Sequence, residues 1–198
     1  MAANSGQRLL DAVLSPAVFQ RLRACLLDVP VSGPDAYCKD EQLRYHALQV
    51  LQALDSVRPS DPDPQFAVRR IDDDFFTDLD GGPVSHADYA FVQMVGPEGP
   101  VHHDTVRLGL SCQGEGLSYL GHHHDAVELY FVLEGDSLWW TDSAPGWELR
   151  ERSFHRSGEH HAMKTPAGQG GALYFWSWTG EIPLHIKHSG QPRNSSRM

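Results

Sequence analysis

Apolar residues fall at helical spacing in the first third of this chain and at strand spacing in its second half. Over residues 5–29, Leu9, Leu10, Val13 and Leu14 form one stripe, and Val18, Leu22, Cys25 and Leu26 form another behind Ser15-Pro16, with Pro30 closing the run. Ser5 is the expected cap of the first turn. Ser15-Pro16 reads as an N-cap followed by proline at the first helical position, where a missing N–H does no harm. Residues 32–39 make a turn-rich connection. Residues 40–55 predict another helix, because Leu43, His46, Ala47, Val50, Leu51 and Leu54 recur at three and four residues; His46, on that apolar side, is expected to be structural. RPSDPDP, at 58–64, is a linker, since its prolines exclude a helix or central strand. From 65 to 96 the pattern is mixed. IDDDFFTDL predicts a helix end and turn, and DYAFVQMVG suits a strand or a short helix equally.

From about Thr105 short apolar or alternating runs recur between Gly, Pro, Asp and Ser: VRLGLSC, LSYLGHH, VELYFVLEG, SLWWTD, WELRER, HHAMKTP, GALYFWSW and PLHIKH. Short strands at this spacing, with no helical pattern between them, predict a mainly β fold, an antiparallel jelly-roll-like barrel. The expected organisation is an N-terminal α-helical extension (1–64), a connecting segment packed on the barrel (65–104), the barrel (105–188) and a disordered polar tail (189–198).

Charge narrows the partners. With 16 Lys+Arg against 26 Asp+Glu the formal net charge is −10, which disfavours nucleic acid and anionic membranes and is compatible with a cationic small molecule. The N-terminus lacks a cationic segment before its short apolar stretch, and no apolar run approaches a membrane span. Cys25, Cys38 and Cys112, odd in number and widely spaced, are expected as free thiols in the cytoplasm.

The candidate chemistry sits in GLSYLGHHHDAVELYFVLEG, residues 116–135. Gly116 is followed after five residues by His122-x-His124, then after three by Glu128, and after six more by Gly135. Residues at i and i+2 of a strand face the same way, so two imidazoles and a carboxylate from the next strand suit a divalent transition metal: Zn, Fe, Mn, Ni or Co. Parity puts Glu128 and Tyr130 on one face of VELYFVL. Tyr119 lies three residues before His122. In LYFWSW, Tyr174, Trp176 and Trp178 share a side, an aromatic face able to take a cation. A further ligand is expected from a later strand. His160 and His161 are adjacent there, and parity allows only one of them inside. His155 is a weaker candidate, expected in the preceding turn, and His102, His103, His185 and His188 are assigned to the surface.

The spacing of residues 116–135 resembles the first motif of the cupin superfamily. RSGEHHAMKT resembles the second, with Arg156 in place of the usual proline and Thr165 in place of the usual asparagine. The set His124-x3-Glu128-x-Tyr130-x4-Gly135, with Tyr119 upstream and HAMKT downstream, is similar to the cupin-type dimethylsulfoniopropionate (DMSP) lyases. That resemblance implies a single cupin barrel and a metal-dependent β-elimination of DMSP to dimethyl sulfide and acrylate. The implied metal ligands are His122, His124, Glu128 and His161. Tyr130 is the implied base, with Tyr119 and His122 as second candidates. His122, Trp176 and Trp178 are the expected contacts of a small zwitterionic substrate. A homodimer stays open. The competing readings are a non-haem Fe(II) cupin dioxygenase and a non-catalytic small-ligand-binding cupin.

Overall fold

The computed structural model describes residues 4–29, 37–57, 66–180 and 187–190, with the backbone alone at 37–40 and 187–190. The linker at 58–64, most of the 32–39 connection and of PLHIKH, and residues 191–198 lie outside the described residues.

Helix α1 spans Ser5–Val13 and α2 spans Pro16–Leu27, separated at Ser15, the extended N-cap of α2. Asn4, not Ser5, caps α1: its side chain accepts the Gln7 N–H. Ser5 is buried and docks the helix instead, its N–H and hydroxyl bonding to Asp88. Helix α3 spans Tyr37–Leu54 and begins before the apolar stripe does. None of the described helices is long and apolar enough to cross a membrane.

Among the described residues eleven strands follow: β1 Phe76–Asp78, β2 Tyr89–Val95, β3 Val106–Gln113, β4 Leu117–His123, β5 Val127–Glu134, β6 Leu138–Thr141, β7 Ala144–Leu149, β8 Arg152–His155, β9 His161–Lys164, β10 Ala172–Thr179 and β11 Lys187–Gly190. IDDDFFTDL resolves into a 3-10 turn, Asp73–Phe75, leading into β1, and DYAFVQMVG is the strand β2. The run WELRER is divided: WEL ends β7, and β8 starts at Arg152.

The strand pairs among the described residues are antiparallel and fall into two sheets facing each other; one isolated bridge, Val95 with Val101, is parallel. One sheet has the order β2-β3-β10-β5-β8; the other runs β1-β4-β9-β6-β7, with β11 beside β4. Strands β1 and β2, from the stretch between helices and barrel, thus complete one sheet each. The helices cover the outer face of the first sheet, where α1 and α3 meet β2, β3, β5 and β10. Their apolar stripes and the outward residues Leu108, Leu110, Leu129, Phe131 and Phe175 make one core. A second core lies between the sheets and is aromatic: Phe76, Tyr89, Tyr119, Tyr130, Trp139, Tyr174 and Trp176.

Register places the site. Across β8, β5, β10 and β3, one row pairs His155, Glu128, Trp178 and Arg107, and the row two residues further pairs Ser153, Tyr130, Trp176 and Gly109. Strand alternation turns both rows inward. Gly109 is required there, because a Cβ would lie 1.9 Å from the Val92 carbonyl oxygen and 2.7 Å from the Trp176 ring.

Candidate metal centre

His122 is in β4, His124 follows that strand directly, and His161 opens β9; Glu128 and His155 face them from β5 and β8 of the opposite sheet. The turns that set this geometry use motif glycines. Gly116 and Gly135 have φ of +74° and +77°, and at Gly135 a Cβ would also meet the Gly171 carbonyl oxygen at 2.3 Å. Gly158 turns at +75° and donates its N–H to the His124 carbonyl at 2.8 Å, joining the two motifs.

The donors converge. One nitrogen from each of His122, His124 and His161 lies within 4.8 Å of the others, as do the donor atoms of Glu128, His155 and His161. All five residues are buried. The Oε2 atom of Glu128 is 3.1 Å from His124 Nε2, 3.0 Å from His161 Nε2 and 3.2 Å from His155 Nδ1. Nδ1 of His122, His124 and His161 meets the backbone carbonyl of Leu120 (2.9 Å), Ala126 (3.1 Å) and Glu159 (2.9 Å) respectively. A carbonyl only accepts, so each Nδ1 carries a proton and Nε2 is left as the nitrogen that faces the cluster, the orientation a metal ligand needs. His161 Nε2 is fully buried and, despite its nearness to Glu128, makes no aligned hydrogen bond among the described residues. Three Nε2 atoms fixed in direction around a carboxylate oxygen, that of His161 without a hydrogen bond, fit a divalent cation.

The electrostatics agree. Burial pushes the Glu128 carboxyl up, but the charge on His124, the hydrogen bonds of His124 and His155 and the close approach of His161 outweigh it and hold the group well below its usual range. Burial works against charge on His124 too, and there Glu128 prevails and raises the pKa. His122 is held well below its ordinary value by burial and by His161. His155 falls to about 4, by burial first and then His161.

Beside the cluster lies a cavity of about 190 Å³. Tyr119, Tyr130, His122, Trp176 and Trp178 line it, together with Arg107. Tyr119 is buried and stacks on His122 at 4.5 Å between centroids. Tyr130 packs against Trp139, His155 and Tyr174. Burial, then the Glu128 carboxylate, raises the Tyr130 phenol well above its normal value; Tyr119 is raised by burial, then Tyr89 and Glu128. A larger open groove of about 930 Å³ lies outside, between α2 and the end of β5, and none of the histidines lines it.

The structure therefore brings together His122, His124, Glu128, His161, Tyr119, Tyr130, Trp176 and Trp178. It corrects the reading of His155, which is a fully buried residue of β8 directly opposite Glu128 rather than part of a turn. Its parity with Ser153 in RSFH was the signal. Trp178 is engaged with the carboxylate: its indole N–H donates to Oε1 of Glu128. Arg107, buried in the same row, carried no sequence signal. His160 lies outside and stacks on His123. His102 is exposed, and His103 caps a turn by accepting the N–H groups of Thr105 and Val106. The side chains of His185 and His188 are outside the described residues.

Residues 76–169 match the family model described as dimethylsulfoniopropionate lyase. Over 90 residues the chain is 31% identical to dimethylsulfoniopropionate lyase DddQ of Ruegeria pomeroyi, an alignment covering 44% of this chain and 45% of that protein, just under half of its length. In fold it is similar to the crystal structure of DMSP lyase DddQ from the same organism: TM-score 0.50, 19% identity, 95% of this chain and 97% of that one covered. A chain from the crystal structures of the DMSP lyases RdDddP and RnDddQII gives a TM-score of 0.51 at 20% identity, covering 85% and 76%. In the sequence of its barrel and in its fold, the chain resembles the cupin-type dimethylsulfoniopropionate lyases.

Proposed function

We propose that this protein is a metal-dependent lyase that cleaves DMSP by β-elimination, giving dimethyl sulfide, acrylate and a proton. The observation that carries this reading is the set of proton-fixed imidazoles of His122, His124 and His161 facing Oε2 of Glu128 beside an aromatic cavity. His124, Glu128 and His161 would hold one divalent ion, with His122 as a further ligand; Zn, Fe, Mn, Ni and Co all suit these donors. When bound, the ion supplies Lewis acidity to the substrate carboxylate and to the negative charge that develops beside it.

The remaining work falls to the chain. Tyr130, two residues from Glu128 on the same inward face, takes the α-proton at its phenol oxygen; the electron pair left on the α-carbon forms the double bond as the β-carbon–sulfur bond breaks. Unaided, burial and Glu128 keep the phenol protonated. A cation on Glu128 removes that repulsion and favours the phenolate. Phe91, Tyr119 and Trp176 line the cavity and would surround the sulfonium with aromatic rings. Trp178, with its N–H on Glu128 and its ring over His124, is a wall of the ligand set. Tyr119 and His122 are the alternative bases.

The test is anaerobic incubation of the metal-loaded protein with DMSP, reading dimethyl sulfide in the headspace. Sulfide release without oxygen supports the elimination. No release anaerobically, with oxygen consumed in air, means a dioxygenase, and binding without turnover means a non-catalytic cupin. Tyr130→Phe should keep its metal and lose about 100-fold or more in rate; a rate near wild type removes Tyr130 from the role.

A further inference from the structure

The two oxygens of Glu128 face different partners. Oε2 points into the histidine cluster, where three ring nitrogens lie between 3.0 and 3.2 Å. Oε1 receives the indole N–H of Trp178 at 2.5 Å. The pairing follows from register, Trp178 on β10 standing directly across from Glu128 on β5. The indole and the strand that carries it are each anchored. Its ring lies 4.5 Å from that of His124. On the far face of β10 its neighbours Ser177 and Thr179 bond the ring nitrogens of His46, at 2.9 and 2.8 Å, which ties this stretch of strand to α3.

We propose that Trp178 is a positioning residue that confines Glu128 to one-oxygen ligation of the metal. This rests on the metal-centre reading above. A carboxylate binds a cation through one oxygen or both. With Oε1 capped by an N–H, Oε2 alone faces the ion, so Glu128 fills one coordination position and the position it would otherwise take is open to a substrate oxygen. Indole suits the task because it only donates and does not titrate. A carboxylate, amide or histidine at 178 would add an acceptor that competes for the ion.

Trp178→Phe removes the N–H and keeps a ring over His124. Chelator-stripped wild type and variant are titrated with Co²⁺, reading affinity and the visible d–d bands, whose intensity falls as coordination number rises. Wild type should bind one Co²⁺ with intense bands. The variant should bind about 10-fold or more weakly, the range for loss of a partner that orients a ligand, with weaker bands as Oε1 swings onto the metal. An unchanged band intensity overturns the proposal whatever the affinity. Wild type that binds no Co²⁺ overturns the metal centre itself, a distinct failure. If the variant does not fold, the wild-type ¹⁵N-indole spectrum decides. A Trp178 N–H resonance that is downfield and stays so on adding Zn²⁺ supports the proposal; one that moves to the range of free indoles on adding Zn²⁺ overturns it.

Discussion

Acid should unfold this protein partly through one histidine that plays no part in the chemistry. His46 of α3 is 1% exposed, wedged between Ser177 and Thr179 of β10 and edge-on to Phe154. Burial lowers its pKa to about 4, whereas in the unfolded chain an imidazole titrates near 6.5. Its folded pKa is the lower one, so the unfolded state binds the extra proton. Stability is therefore complete above about pH 6.5 and declines as pH falls toward 4. By linkage the loss is about 2.5 kcal/mol at about pH 4.5, approaching about 3.4 kcal/mol below pH 4, a sizeable share of an ordinary domain's 5–15 kcal/mol. Urea unfolding with chelator present, at about pH 7 and pH 4.5, measures it in wild type and in His46→Gln. The variant can still bond the two hydroxyls and cannot titrate. The other histidines are common to both proteins, so wild type should lose about 2.5 kcal/mol more than the variant between the two pH values. Parallel losses would refute the assignment of that acid sensitivity to His46.

Three further outcomes follow from the geometry. Gly109→Ala drives a methyl into the Val92 carbonyl and the Trp176 ring; it should cost about 3 kcal/mol and lower the melting temperature by about 6–12 °C, and an unchanged melting curve would contradict the close approach. Glu128→Gln keeps the shape of the side chain and removes its charge, so equilibrium dialysis should show metal binding weakened by more than the about 100-fold that outer partners cost. His155→Gln should retain metal to within about 10-fold, because its Nε2 is tied to Ser153 and its Nδ1 faces Glu128, while His161→Gln should lose it; equal loss in both would place His155 among the ligands.

Much of this was legible in the chain because strand parity is a strict rule. Alternation in VELYFVL and LYFWSW put Glu128, Tyr130, Tyr174, Trp176 and Trp178 on one face, and register then did no more than bring the rows together. For His160 and His161 parity said only that one of them faces inward; the motif resemblance pointed to His161, which is the buried one. What stayed hidden depended on partners distant in sequence. His155 was obscured because WELRERSFH reads as one strand and a turn until the break near Arg150 separates β7 from β8. DYAFVQMVG has too little polar alternation to distinguish a helix from a strand buried on both faces; only the α1 layer outside and the aromatic core inside make it β2. Ser5 looked like a cap and serves as a docking residue, since Asp88, far along the chain, receives its bonds. Nothing local foretold that Trp178 would give its N–H to Glu128.

The five clustered donors are divided between the two leaves of the barrel: His122, His124 and His161 on one, Glu128 and His155 on the other. One leaf is braced by α1 and α3, and among the described residues no helix packs on the other to a comparable extent. Under the proposed metal binding, an ion gripped from both sides would rivet the leaf that the helices back to the leaf that they do not, and chelation would leave the aromatic core between them to hold the two together.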